Sequence, residues 1–260
     1  MAQRPTGPRD RHPPARQSER EHAREAELAE WLRFDPEPEP IAADETAIAM
    51  LARLHIELSD AELSLLSRYL GMLFAANERF NLTRIDRESA WSRHVIDALT
   101  LLAPIEGLER ATTAIDIGSG GGVPGIPLAI ARPDIAWTLL EATGKKARFL
   151  EAVVRTLGLA NVEVVQSRAE IAARGPLREA FDVATSRAVG ALGGLATISV
   201  PFLRIGGVML AIKGARAADE LAEAKQRLYE LHAAVVGEIR TETNTIVAIE
   251  KQRKTPAKFP

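Results

Sequence analysis

The sequence predicts an α/β fold: a mostly parallel sheet covered on both faces, closed by an antiparallel hairpin and preceded by a helical extension. Three observations carry this. Short β-rich runs alternate with helical ones from residue 113 onward, the pattern of strand–helix–strand units. The last two strand-like runs, residues 235–239 and 245–251, are separated only by a turn-like segment and so pair antiparallel. A glycine-rich turn, residues 118–125, follows the first strand.

The elements follow in order. Residues 1–17 are rich in Arg and Pro and read as a disordered, solvated extension, because such a block cannot bury enough apolar surface to fold alone; a basic arm that touches RNA is the other reading. Residues 18–34 read as a charged helix. Asp35-Pro36-Glu37-Pro38-Glu39-Pro40 reads as a stiff extended spacer, since each proline disfavours helix in the residue before it. Residues 1–43 are thus expected to be an extension, with the folded body starting near Asp44.

A helical subdomain is expected over residues 44–110. Ser59 and Glu62 have capping-box spacing, and Leu63, Leu66, Leu70, Leu73 and Phe74 recur at helical spacing. A second helix opens near Asp86 and carries Trp91, Val95, Leu99 and Leu102 inward. Residues 111–260 then read as strand 113–117, a helix after Gly125, strand 136–141, helix 145–157 and strand 162–165. Strand 181–185, helix 192–203, strand 207–212, helix 217–231 and the two closing strands complete the chain. A six-stranded dinucleotide fold has no need of the closing hairpin. The seven-stranded, Rossmann-like fold of methyltransferases that use S-adenosylmethionine (SAM) ends in one.

Composition sets exclusions. With 33 Lys plus Arg against 35 Asp plus Glu the net charge is -2, so any nucleic-acid binding must rely on local patches. The chain has no cysteine, which removes disulfides, zinc–thiolate sites and a cysteine nucleophile, and with it pyrimidine-C5 methylation through a cysteine adduct. No metal site is expected. There is no apolar run long enough to span a membrane and no apolar signal core, so a cytoplasmic location is expected. A monomer is expected, although no sequence feature fixes the oligomeric state. Asn81-Leu82-Thr83 matches the glycosylation sequon, which carries no meaning without a secretory signal.

The chemistry concentrates after the first strand. Asp116 precedes Gly118, Gly120 and Gly122, and a helix follows Gly125. Glycines allow a sharp turn and a close backbone approach to a ligand, at the carboxyl end of a strand where open α/β sheets bind cofactors. Gly120, Gly122 and Gly125 also satisfy the dinucleotide fingerprint G-x-G-x-x-G. Asp116 sits where methyltransferases place a carboxylate facing the methionine part of SAM, which weighs against a nicotinamide cofactor. Glu141 ends the second strand, where a carboxylate accepts hydrogen bonds from ribose hydroxyls of either cofactor. Ala169 and Glu170 follow the third strand and are expected to face the adenine; a capping role for Ser167 fits that loop equally well. Ser186-Arg187-Ala188 occupies the place where amine methyltransferases carry a proline-proline-aromatic clamp. Arg187 is there expected near the reacting base, against SAM, a phosphate or the guanine edge.

Taken together, these segments resemble the glucose-inhibited division protein B family, also called ribosomal RNA small subunit methyltransferase G. The resemblance runs from about Leu51 to Pro260. It rests on Asn81-Leu82-Thr83, His94 to Leu99, Asp116 to Gly125, Gly144 to Leu150, Ser167 to Glu170, Thr185 to Ala188, Lys213-Gly214 and Arg253 to Pro256. Ala98 departs from a usual serine and Phe259 from a common tyrosine. The family implies methylation of N7 of a guanine in small-subunit (16S) ribosomal RNA, with the RNA or the ribosomal subunit as partner. SAM contacts carry over to Gly118, Val123, Ala169, Glu170 and Arg187. RNA contacts are expected from Arg84, Arg93, His94, Lys213 and Lys254, all in loops or termini near family motifs. No catalytic base is required. Two other readings stay open: a nicotinamide-dependent oxidoreductase, and a non-catalytic RNA-binding assembly factor, which would bind SAM without transferring methyl.

Overall fold

The computed structural model describes residues 25–108, 111–187 and 190–260. The disorder expected for 1–17 and the first part of the charged helix lie outside the described residues.

Strands β1 (Thr113–Ile117), β2 (Ala136–Glu141), β3 (Val162–Gln166), β4 (Phe181–Arg187) and β5 (Leu203–Lys213) run parallel. After β6 (Ala233–Arg240) the chain turns back as β7 (Thr245–Lys251), which inserts antiparallel between β5 and β6. The order is β3-β2-β1-β4-β5-β7-β6. This is the seven-stranded arrangement that the closing hairpin predicts. Strand order reverses between β1 and β4, and the crevice at their carboxyl ends is where such sheets take ligands.

β1 and β2 are buried on both faces and read as near-continuous apolar runs, as central parallel strands must. One face packs under helices α1 (Glu45–Arg53), α2 (Asp60–Asn77), α5 (Gly125–Ala131) and α6 (Gly144–Leu157), with the short helices α3 (Asp97–Leu99) and α4 (Leu102–Glu106) between α2 and α5 in the chain. The other face carries α7 (Ala169–Ala172), α8 (Leu192–Ser199) and α9 (Ala217–Leu231). Residues 44–108 have no separate core: Leu66, Leu70 and Leu73 of α2 pack with Ile126, Leu139 and Phe149.

Local chemistry explains most ends. Ser59 and Glu62 form the expected capping box, with the Ser59 amide donating to Glu62 Oε2 at 2.7 Å. The helix expected over 192–203 stops at Ser199, and a 3-10 turn Val200–Phe202 follows, because Pro201 cannot donate an amide to continue it. β5 therefore begins at Leu203, ahead of the expected residue 207. Asp86 accepts from the Ser89 amide at 2.7 Å, but the segment after it, Trp91–Ile96, is π-helical. Trp91, Val95 and Leu99 point inward as expected, while Leu102 is half-buried.

The packed body also begins before Asp44. Residues 25–31 are helical, and Leu32 and Phe34 are buried in the core shared with α2 and α6. Trp31 meets the Phe80 ring edge-on at 5.8 Å, and Phe34 meets Phe149 at 6.4 Å. The proline-containing stretch is a strap across α2. Glu37 takes a two-pronged hydrogen bond from Arg68 at 2.6 and 2.8 Å, and the Ile41 amide donates to the Ser67 carbonyl at 3.0 Å. It crosses at Gly71, where a Cβ would stand 2.4 Å from the Glu39 carbonyl oxygen. No helix of the described residues is long and apolar enough to cross a membrane.

Candidate functional site

The glycine turn lies at the carboxyl ends of β1 and β2. Gly118, Gly120 and Gly122 take φ of 72°, 57° and 98°, a region that side chains strain to enter. Gly118 is exposed and donates its amide to Leu140 O at 2.9 Å. From beneath, the buried Tyr69 hydroxyl donates to the Gly121 carbonyl at 2.8 Å. Burial pushes the Tyr69 phenol far above its usual range, so it remains a neutral donor. Sequence reasoning missed Tyr69. Its signal is one phenol on an apolar helix face, whose hydroxyl needs a partner once buried.

Asp116 is fully enclosed. Its Oδ1 accepts from the Thr185 hydroxyl at 3.0 Å and its Oδ2 from the Gly125 amide at 3.2 Å, tying β1 to β4 and to the start of α5. Burial raises its carboxyl to about 6, against the lowering effect of hydrogen bonds from Ser119, Thr185 and Gly125 and of the Arg187 charge. Glu141 is nearly buried; Oε2 accepts from the Gly120 amide at 2.9 Å and Oε1 from the Thr143 amide at 2.7 Å. It thus joins the glycine turn to the start of α6, with lone pairs left on both oxygens. Val123 is buried, Ala169 half-buried and Glu170 exposed. Ser167 does not cap α7: the cap position is Arg168, and the Ser167 hydroxyl donates to the Arg168 carbonyl at 3.1 Å. A cavity of about 820 Å³ opens beside these elements, lined by Thr143, Gly144, Lys145, Gln166, Arg79 and Phe80 among others.

Arg187 ends β4. One guanidinium nitrogen donates to the Arg93 carbonyl and the other to His94 Nδ1 at 3.0 Å. Burial pulls the guanidinium below its usual value, opposed by the Tyr69, Asp97 and Asp116 groups. Ala188, next along, lies outside the described residues.

The expected RNA contacts divide. Arg84 is exposed, and Arg93 is 40% exposed with a loose 3.6 Å pairing to Asp97. His94 is instead buried behind Arg187, with its Nε2 3.0 Å from Thr83 Oγ1, so it cannot touch RNA in this arrangement. Lys213 is also buried: it pairs with Glu220 at 2.7 Å and donates to the Gly190 carbonyl at 2.7 Å, joining β5 to α9. Lys254 is exposed but on the wrong edge. β7 runs antiparallel to β5, with Thr245 beside Lys213 and Glu250 beside Val208, so the tail emerges at the amino ends of the parallel strands, opposite the glycine turn. The structure therefore gathers Asp116, Gly118, Gly120, Gly122, Val123, Glu141 and Arg187 at one edge and leaves Lys254 at the other.

Comparison with known proteins gives a consistent result. The family model described as rRNA small subunit methyltransferase G matches residues 62–247. A protein named ribosomal RNA small subunit methyltransferase G from Sorangium cellulosum is 47% identical over 226 residues, covering 86% of this chain and 95% of that one. Its namesake from Chloroflexus aggregans is 42% identical, covering 79% and 88%. Among solved structures, an O-methyltransferase candidate from Klebsiella pneumoniae superposes with a TM-score of 0.53 at 14% identity, covering 80% of this chain and 96% of that chain. That last likeness speaks to the fold alone.

Proposed function

Because the chain belongs to the rRNA small subunit methyltransferase G family, we propose that it methylates N7 of a guanine in small-subunit (16S) ribosomal RNA, with SAM as donor. The observation that carries this reading is the juxtaposition at one sheet edge. An open glycine turn, a strand-end carboxylate and a half-buried guanidinium with no carboxylate partner among the described residues converge at the β1/β4 switch. The residues present fit SAM. Glu141 keeps acceptor capacity for ribose hydroxyls at the end of β2, and the glycines leave the backbone open to close approach. Ala169 and Glu170 would edge the adenine, and Arg187 would meet the cofactor's carboxylate or the guanine. The closing hairpin and the family together displace the nicotinamide reading.

When bound, SAM supplies a methyl group on a positively charged sulfur. Guanine N7 carries a lone pair in the neutral base, so no residue of this chain has to remove a proton first. Asp116 and His94 are occupied in holding the site together: the Asp116 carboxylate accepts from Thr185 and Gly125, and the accepting nitrogen of His94 is taken by Arg187. What the chain supplies is orientation, an effect that can contribute about 7–11 kcal/mol.

Incubation with methyl-labelled SAM and small subunits, followed by mapping of the label, tests the reading. Label at guanine N7 is expected, with single-turnover rates flat between about pH 6.5 and 8.5. Label at an exocyclic amine or a ribose hydroxyl overturns it. Stoichiometric SAM binding without transfer would make the protein a non-catalytic assembly factor.

A further inference from the structure

His94 is buried, sits on the π-helical segment Trp91–Ile96, and makes two hydrogen bonds of opposite sense. Its Nδ1 faces Arg187 Nη2 at 3.0 Å, and a guanidinium only donates, so Nδ1 must be the bare, accepting nitrogen. The proton is therefore on Nε2, which donates to Thr83 Oγ1 at 3.0 Å. Thr83 Oγ1 also accepts from the Ile85 amide at 3.0 Å, and the Leu82 and Thr83 amides both donate to Asn77 Oδ1, at 2.8 and 2.9 Å. A continuous hydrogen-bonded chain thus runs from the end of α2 through the 82–85 loop to the end of β4. Its last member, Arg187, is held by one carbonyl and one neutral imidazole and has no ion-pair partner among the described residues.

The choice of acceptor has a consequence. A carboxylate in place of His94 would hold the guanidinium as firmly but cancel its charge. A neutral imidazole fixes direction and leaves the charge for a ligand. We propose that His94, as the Nε2–H tautomer, is a positioning residue that aims an uncompensated Arg187 at the cofactor and target base, and couples that aim to the 82–85 loop. Burial first, then the Arg187 and Arg93 charges, lower the imidazole to about 3, consistent with a neutral ring. The inference rests on the methyltransferase reading for what Arg187 meets, but not for how His94 holds it.

Three variants separate the two hydrogen bonds. His94→Asn places an oxygen where Nδ1 stands and keeps the Arg187 contact; His94→Gln places an amide where Nε2 stands and keeps the Thr83 contact; His94→Leu keeps neither. Loss of a hydrogen bond to a charged group predicts a drop of about ten- to a hundredfold in kcat/KM for the Leu and Gln variants. His94→Asn should recover most of it. In an Arg187→Gln background the three variants should become nearly equal. Calorimetric SAM affinity should follow the same ranking. Equal losses for Asn, Gln and Leu, or losses that persist without Arg187, would reduce His94 to a structural residue and overturn the proposal. Long-range nitrogen–proton NMR on the intact protein reads the tautomer independently of any activity. An Nδ1–H signal overturns the inference even if methyl transfer is confirmed. If the wild-type chain methylates nothing, an Nε2–H tautomer and the affinity ranking still support the positioning role.

Discussion

The amino edge of the sheet and the carboxyl ends of β1, β2 and β4 handle charge in opposite ways. At the amino edge, charges are neutralised. Asp182 takes the Thr112 and Thr113 amides at 2.7 and 3.0 Å and lies 2.6 Å from Arg204, while fully buried Lys251 pairs with Glu179 at 2.9 Å and reaches the Leu203 carbonyl at 2.8 Å. At the carboxyl edge, Asp116, Glu141 and Arg187 form no ion pairs among themselves or with other described residues. They are held by amides, hydroxyls, a carbonyl and an imidazole. Neutral partners fix a charged group without cancelling it, which is what a site must do before its ligand arrives. The amino edge neutralises its charges, as Lys213 and Glu220 do beyond β5, whereas the ends of β1, β2 and β4 leave theirs without an ion pair among the described residues.

The largest expected effect should fall on the amino edge and touch only stability. Glu179→Gln leaves a buried ammonium without its carboxylate and should lower the unfolding free energy by about 3 kcal/mol. That is the low end for breaking a buried pair, because Glu179 is itself 28% exposed. Denaturant titration measures it, and methyl transfer per folded molecule should not change. Lost transfer with intact stability would break the contrast between the edges.

Glu141→Ala tests the other side. It should weaken SAM binding by about 1.5–3 kcal/mol by calorimetry, and cost about 1–2 kcal/mol of stability because the Gly120 and Thr143 amides lose their acceptor. Unchanged affinity would remove Glu141 from the site.

A third effect is one of sign. His94 has its pKa lowered from 6.5 to about 3, so the stability it contributes is present above 6.5 and lost as pH falls towards 3. Asp116 has its pKa raised from 3.8 to about 6, so its contribution is present below 3.8 and lost as pH rises through 6. The two oppose each other in the window between. His94→Asn removes only the first, so its unfolding free energy should gain on the wild type steadily as pH drops below 6.5. Parallel curves would mean that His94 is not buried neutral.

The smallest effect concerns surface cations. Replacing Arg84 and Arg93 together should flatten the salt dependence of RNA binding by about one to two units of slope, whereas Lys254→Ala should leave it unchanged. A flatter slope for Lys254 would put RNA on the amino edge as well.

Most of the fold was legible because local chemistry and tertiary packing agreed. β1, β2, α9 and β7 begin and end where periodicity puts them. The glycine turn and the placing of Glu141 at the end of β2 were legible from spacing alone, and the structure joins them by the Gly120 amide. His94 and Lys213 were misjudged because proximity to a motif says nothing of burial, and each has its polar atoms turned inward. Lys254 lies away from the glycine turn, because a single reversal of strand direction carries the tail to the far edge. The stretch before Asp44 was misjudged because its charged and proline residues mask Leu28, Trp31, Leu32 and Phe34, which are enough to anchor it.

The crossing at Gly71 bears on how this protein can be trimmed. A Pro-Glu run invites an expression boundary just after it, as though it were a dispensable hinge. With the Glu39 carbonyl seated over a residue that has no side chain, the strap and the helix are fitted to one another, and Trp91 spends its indole N–H on the Ile41 carbonyl at 2.8 Å. Cutting at Asp44 would uncover an apolar trench along α2 and strand that indole. The shortened protein should then be sticky and short-lived in the cell, a failure easily mistaken for loss of an RNA-binding arm.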